Sequence, residues 1–411
     1  MPELNTDSDF SLLPLPVEDL PLDGMLVLDF SQFLAGPVAA MRLADLGARV
    51  VKIERPTGGD IGRQLAFAGK FLDGDTLSFH IMNRNKESFA ADLKDERSLG
   101  GVRELVERAD VIIQNFRPGV MERLGFGYDQ VKEFNPRMVY GSVSGYGTRG
   151  PWRDRPGQDL LAQSMSAVPW ATGSSDDPPT PFGLAIADNG ASMHLAQGIT
   201  ALLLRRERTG KGGLVETSLL ESMLDIQFEL ISTALLDPST PLDRGPANSA
   251  NAFLAAPYGV YETSDGYISI AMTPVPELGA LLGMPELEAY ADPSTWWTKR
   301  DEIYAHLRRR LIEAPTEDWL GILDVAGVWC APVLTLHDLL NHEGFHALDM
   351  VQVTTRDTVS VATTRPPMRI DGRKLTGGSS APRLGEHTEQ ISNSLHSPYR
   401  DEKLIAKKAP S

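Results

Sequence analysis

Short apolar runs alternate with helical periodicity through the first third of the chain. Residues 25–31 (Met-Leu-Val-Leu-Asp-Phe-Ser) form an apolar run of strand length. Residues 34–47 follow at helical spacing, with Pro37 suited to a first turn and Gly47 to a C-terminal stop. Residues 49–54 predict a second strand, ended by Pro56. A strand–helix–strand unit of this kind implies a parallel pair. The theme repeats, with strands over 88–93, 110–116 and 138–144 and helices over 95–109 and 128–134. The layout is an open, doubly wound α/β sheet. Residues 145–150 (Gly-Tyr-Gly-Thr-Arg-Gly) match G-x-G-x-x-G, but Pro151 and Pro156 follow where a helix would have to start. Without a helix N-terminus for a pyrophosphate, a nicotinamide dehydrogenase is disfavoured.

The pattern changes in the second half. A helix after residue 188 carries Met193, Leu195, Ile199 and Leu202 at helical spacing and ends in a charged, glycine-rich turn at 205–213. Order resumes at 215–221, a long helix is predicted over 222–236, and 237–257 reads as loop. Residues 258–263 and 267–272 alternate as two strands around Ser264-Asp265-Gly266, a hairpin turn, and helical patterns run from 276 to 326. Residues 222–332 thus read as a smaller α+β domain inserted into a large domain of residues 21–221 and 333–411, with residues 1–20 as a mobile arm.

Composition narrows the function. A chain of 411 residues is long enough for two domains. A net charge of −16 repels nucleic acid and anionic membranes, so neither is an expected partner, and an anionic ligand needs a local basic site. The single cysteine, Cys330, excludes an internal disulfide, fits a reducing compartment and reads as a buried, inert thiol. The first 20 residues are acidic and lack the basic and apolar regions of a signal peptide, and no apolar stretch reaches membrane-spanning length. A cytoplasmic location is expected.

Asp188 is the most unusual polar residue. It lies among small and apolar neighbours, Gly183-Leu-Ala-Ile-Ala-Asp188-Asn-Gly-Ala-Ser-Met-His194, at or just before a helix start. Aspartate is a preferred N-cap, and a cap explains its position. A carboxylate ringed by glycine and alanine also leaves room for a bulky partner, and burying it is costly unless it is used. Asp159 is a second candidate, either a cap or the other half of an acid/base pair. Basic and amide groups gather near predicted strand ends: Lys52 and Arg55; Asn83, Arg84, Asn85 and Lys86; Gln114, Asn115 and Arg117, with Arg123 following. Ligands of open α/β sheets bind at the carboxyl ends of strands, so this grouping suggests a phosphate-bearing ligand. No metal site is expected: His337, His342 and His346 lie close together but are interrupted by Asn341 and Gly344. Ser142 and Ser144 form no nucleophile elbow.

Six stretches together resemble the family III CoA-transferases of the CaiB/BaiF type, which include formyl-CoA transferase. They are residues 27–37, 47–54, 83–86 (Asn-Arg-Asn-Lys), 115–119 (Asn-Phe-Arg-Pro-Gly), 142–146 (Ser-Val-Ser-Gly-Tyr) and 382–388 (Pro-Arg-Leu-Gly-Glu-His-Thr). In this order and spacing they are specific to the family, and the similarity spans residues 24–390. The resemblance implies a Rossmann-like large domain made from both chain ends, a smaller domain between them, and an interlocked homodimer. It implies Asp188 as catalytic aspartate, supported by Gln158, Asp159, Tyr146 and Gly190. It places Leu34, Ala35, Arg55, Asn83, Arg84, Asn85, Lys86, Asn115, Phe116 and Arg123 along the CoA site.

The activity implied is transfer of CoA from a short acyl-CoA to a carboxylic acid, dicarboxylic acids among them, through an aspartyl-CoA thioester. No permanently bound cofactor is implied; the CoA thioester is substrate. The α-methylacyl-CoA racemases share this fold and pair their aspartate with a His-Asp dipeptide. Here Gln158 precedes Asp159, and glutamine cannot exchange the proton that racemisation requires. The glycine run that serves formyl-CoA transferases as a flap has no counterpart in residues 244–253. A racemase or a non-catalytic CoA-binding module are the competing readings.

Overall fold

The computed structural model of the protein describes Pro16, residues 19–236, Ser239, residues 244–246 and residues 249–396. The expected N-terminal arm lies almost wholly outside the described residues. The described residues of Met1–Ala162, Ala185–Met223 and Asp349–Ser411 form one compact unit, and Gln163–Leu184 with Leu224–Leu348 form a second.

The first unit is built on a six-stranded parallel sheet. Its elements are β1 (Leu26–Asp29), α1 (Ala35–Asp45), β2 (Arg49–Glu54), α2 (Leu77–Met82), β3 (Lys86–Ala90), α3 (Glu96–Arg108), β4 (Val111–Gln114), α4 (Tyr128–Phe134), β5 (Val139–Ser144), α5 (Asp159–Met165), α6 (Ile186–Thr209) and β6 (Gly213–Ser218). The strand order is β3-β2-β1-β4-β5-β6, every pair parallel. This is the dinucleotide-fold order, with its switch point between β1 and β4. β1 and β4 are buried along their whole length, which is why they read as unbroken apolar runs. One face packs Leu28, Phe30, Val51, Ile112 and Tyr140 against Val102 and Leu105 of α3. Ile391 and Leu395, from α12 at the far end of the chain (Thr388–His396), complete that core.

The chain continues into α7 (Leu219–Ile226) and then the second unit, with α8 (Phe228–Leu236), β7 (Gly259–Glu262), β8 (Tyr267–Ala271), α9 (Val275–Leu282), α10 (Arg300–Leu311), α11 (Thr316–Leu323) and β9 (Trp329–Pro332). The three strands are antiparallel in the order β9-β8-β7. Their buried face meets Leu278, Ile303, Leu307, Leu311 and Trp319. The hairpin at 264–266 is present. The single long helix expected over 222–236 is instead two helices that part at Gln227, whose buried side-chain amide donates to the Ser166 carbonyl at 3.0 Å.

Two stretches that the hydrophobic pattern assigns to the large domain, 163–184 and 333–348, belong to the second unit. Gln163 ties the first of them together: its amide donates to the Leu184 carbonyl at 3.1 Å and accepts the Phe182 N–H at 2.9 Å. The second begins as a continuation of β9, with the Val333 N–H donating to the Tyr267 carbonyl at 2.9 Å.

Candidate active site

The loop after β5 starts the site. Gly145 and Gly157 lie back to back: a Cβ on either would meet the other's Cα at 2.5 Å. The Tyr146 hydroxyl, its ring buried, donates to the Pro156 carbonyl at 3.3 Å and closes the same loop. The residues that mimic a dinucleotide fingerprint therefore serve a close backbone crossing, one that delivers Gln158 and Asp159 to the start of α5. The Asp159 carboxylate accepts the Ala187 N–H at 2.7 Å and the Asp188 N–H at 3.0 Å.

These bonds correct the capping reading of Asp188. The N-cap of α6 is Ala185, which offers no side-chain cap, and Asp188 stands inside the first turn. Asp159 satisfies the helix's first donors from elsewhere in the chain. Asp188 is thus released from capping, and the backbone N–H of Ala35, the first residue of α1 just after β1, favours the ionised form of its carboxylate. α1 and α6 pack together, and each is rich in small buried residues: Gly36, Ala39 and Ala40 on one, Ala187, Gly190 and Ala191 on the other. The carboxylate lies at the positive ends of two helices. Burial, and behind it the charge of Asp159, nonetheless pushes the Asp188 carboxyl up to about 7, with the Ala35 N–H acting the other way.

Several basic groups expected to face a ligand do not. Lys52 is fully buried, 2.8 Å from Asp60 and 3.5 Å from Asp29. Lys86 is buried against Asp29 at 2.9 Å. Arg84 is buried in a two-pronged pair with Asp45. Asn83 accepts from Lys86 at 2.8 Å, and Asn85 accepts the Ser379 N–H at 2.8 Å. Residues 83–86 therefore hold the fold together, because each of the four side chains already has an internal partner. Burial pushes Asp29 up, but Lys52 and Lys86 outweigh it and hold its carboxyl at about 2. Burial brings the Lys86 ammonium down to about 8 against the pull of Asp29.

Outward-facing charge at the strand ends comes from Arg55, after β2, and Arg123, both exposed. Half-buried Leu34 and Phe116 sit beside the same ends, after β1 and β4. Asn115 clasps the Gln32 backbone, accepting its N–H at 2.9 Å and donating to its carbonyl at 2.7 Å. Ser31, Gln32, Arg55 and Phe116 line a small cavity of about 30 Å³ at the carboxyl ends of the strands.

His194 pairs through Nδ1 with the Ser222 hydroxyl at 3.0 Å. His337, His342 and His346 are exposed on two short helices, and His342 Nδ1 accepts the Gly344 N–H at 2.9 Å. Among the described residues no three His, Cys, Asp or Glu side chains are grouped so as to hold a metal ion. Cys330 is half-buried on β9, and burial pushes its thiol up. No helix among the described residues is long and apolar enough to cross a membrane. Asp29 and Asp60 were not flagged by the sequence; the available signal was Asp29's place inside an apolar strand.

The model of "CoA-transferase family III" matches residues 22–388. A succinyl-CoA:glutarate CoA-transferase of Mus musculus is 31% identical over 378 residues, covering 90% of this chain and 85% of the mouse protein. An acetyl-CoA:oxalate CoA-transferase of Acetobacter aceti is 36% identical over 329 residues, covering 78% of this chain and 82% of its own length. The crystal structure of a CaiB/BaiF family protein from Brucella suis superposes with a TM-score of 0.80 at 32% identity, covering 91% of this chain and 99% of that one.

Proposed function

The chain belongs to CoA-transferase family III, and on that premise we propose that it moves CoA from a short acyl-CoA to a dicarboxylic acid through a covalent aspartyl-CoA thioester on Asp188. The observation that carries this reading is the Asp188 carboxylate itself. Asp159 takes the N–H groups of residues 187 and 188, and the Ala35 N–H, just after β1, favours the ionised form of Asp188. The relatives' names pair a short acyl-CoA with a dicarboxylate, and we extend that pairing to this chain.

The Asp188 carboxylate attacks the donor's thioester carbonyl, and CoA leaves as thiolate, giving a mixed anhydride. The thiolate attacks the aspartyl carbonyl and expels the donor acid, leaving aspartyl-CoA. The acceptor carboxylate attacks that thioester, forming a second anhydride and freeing the thiolate. The thiolate attacks the acceptor's acyl carbonyl, which yields the new acyl-CoA and restores the carboxylate. No proton changes hands, so no acid or base is required. The Ala35 N–H stabilises the oxyanion that forms on the aspartyl carbon at each attack there. We assign the CoA site to Leu34, Ala35, Arg55, Asn115, Phe116 and Arg123, and treat residues 83–86 as its supports.

The chain is also proposed to work as an interlocked homodimer. Support comes from a run of exposed apolar side chains in the second unit: Trp329, Val333, Leu336, Leu339, Leu340 and Leu348. Light scattering at micromolar concentration should give twice the chain mass, and a monomer there overturns the dimer.

Turnover in the presence of hydroxylamine, followed by mass spectrometry, tests the chemistry. A hydroxamate on Asp188 is expected. Turnover that leaves Asp188 unmodified sinks the covalent route. Exchange of the substrate's α-hydrogen with solvent deuterium, without a second acid, indicates a racemase instead. CoA binding with no turnover across acyl-CoAs indicates a binding module.

A further inference from the structure

Four ionisable side chains are buried against the loop between β1 and α1. Asp29 and Lys52 are 0% exposed, Asp60 2% and Lys86 3%. Two positive and two negative charges balance, and besides the Gly62 N–H on Asp60 and the Asn83 side chain on Lys86, their remaining hydrogen bonds go to residues 31–37. Lys52 Nζ donates to the Ser31 carbonyl at 2.8 Å. Asp29 accepts the Ser31 N–H at 2.9 Å and the Ser31 hydroxyl. Asp60 accepts the Phe33 N–H at 3.3 Å. Lys86 Nζ donates to the Pro37 carbonyl at 2.8 Å. Residues 31, 33 and 37 are held in this way, and they bracket Leu34 and Ala35.

The grip has a purpose visible in the backbone. Phe33 stands at φ +67° with half of its surface exposed. An aromatic residue rarely adopts that left-handed conformation and keeps it only where its surroundings enforce it. The turn at Phe33 leads directly into α1, which packs on α6 and carries at its first residue, Ala35, the N–H that favours the ionised form of Asp188. Buried ion pairs are poor stabilisers, since apolar residues of equal volume often do better. A buried tetrad whose bonds converge on seven residues is better explained by the geometry it imposes.

We propose that Asp29, Lys52, Asp60 and Lys86 are positioning residues for the transfer reaction, locking residues 31–37 so that the Ala35 N–H meets Asp188. This rests on Asp188 being the nucleophile. An N–H that strays by about 1 Å from a developing oxyanion loses most of its effect, so loosening the tetrad acts on kcat rather than on CoA binding.

The test uses the full-length protein and three variants: Asp60→Ala, Lys52→Met, and Asp60→Ala combined with Phe33→Gly. The single variants should lower kcat about 10- to 100-fold, with KM for acyl-CoA changed less than about threefold. The acid limb of kcat/KM should move up by about half a unit to one unit as Asp188 loses its donor. Glycine needs no enforcement at that φ, so the double variant should recover about tenfold of the loss. If Asp60→Ala does not fold, Asp60→Asn keeps an oxygen for Phe33 but no charge for Lys52, and should lose about five- to tenfold. Asp188→Ala is assayed alongside. Activity lost there but unchanged, with the acid limb unmoved, in folded tetrad variants overturns the tetrad's role alone. Activity surviving in Asp188→Ala overturns the nucleophile and, with it, this role.

Discussion

Asp29 and Asp188 are both carboxylates set among apolar neighbours near the carboxyl end of β1, yet their acidities move in opposite directions. Asp29 is the more deeply buried and has two ammonium groups against it, which hold it ionised down to about pH 2. Asp188 is less buried, faces a second carboxylate and one backbone N–H, and is held protonated up to about pH 7. Burial raises both; the partners decide the sign. A carboxylate with matched cations is a structural tie. A carboxylate held among another acid and helix N-termini is a reactive group kept ready, at some expense to the fold.

Perturbing either side should separate the two roles. Asp188→Ala should cut kcat by about 10⁴ or more, since the neighbouring carboxylate, Asp159, is tied to the N–H groups of residues 187 and 188; steady-state CoA transfer measures this. Asp29→Asn should destabilise the protein by about 3–5 kcal/mol in urea unfolding at pH 7, because the buried Lys86 then loses the carboxylate it is paired with and Lys52 keeps only Asp60. A change below about 1 kcal/mol would contradict the structural role. Asp159→Asn keeps an oxygen for the Ala187 and Asp188 N–H groups but loses its charge. The acid limb of kcat/KM should therefore fall below pH 7, with kcat reduced about tenfold.

The smallest effect is on stability. Below the ordinary aspartate value of 3.8, Asp188 is neutral whether folded or unfolded. Between there and about pH 7 the unfolded chain ionises while the folded one keeps its proton, so this residue's contribution to stability falls as pH rises. Asp188→Asn should accordingly gain about 1 kcal/mol at pH 8 and nothing at pH 4. Asp29 follows the opposite rule: its contribution is present above 3.8 and is lost as pH falls through about 2.

The alternation of strands and helices was legible because fully buried parallel strands leave continuous apolar runs, as in β1 and β4. Asp188 stood out for the same reason, as a charge where the pattern expects none. The partners of the basic residues were not legible. Lys52, Arg84 and Lys86 read as ligand-binding groups because their carboxylates, Asp60, Asp45 and Asp29, lie in other segments of the chain that only the sheet order brings close. Asp29 carries the same signature as Asp188, a lone acid in an apolar run, and no local pattern separates a neutralised acid from a reactive one. Asp159 was visible as a cap, but the helix it caps is not its own. The assignments of 163–184 and 333–348 failed because hydrogen bonds such as those of Gln163 leave no periodic trace.

The C-terminal segment sets a timetable. Arg356 reaches back to Asp73 and Asp75 at 3.0 Å each, the His387 N–H donates to the Ser88 carbonyl, and α12 covers α3. All six strands of the parallel sheet have been synthesised by residue 218, but this cover is not complete until residue 396. At about 5–20 residues per second, a ribosome needs about 10–40 s to cross that interval. Throughout it, the part of the core that Ile391 and Leu395 fill and the Asp73 carboxylate, which pairs with Arg356 and Arg383, await partners not yet made. A nascent chain stalled at residue 345 is predicted to be cut by protease at sites that the released protein protects.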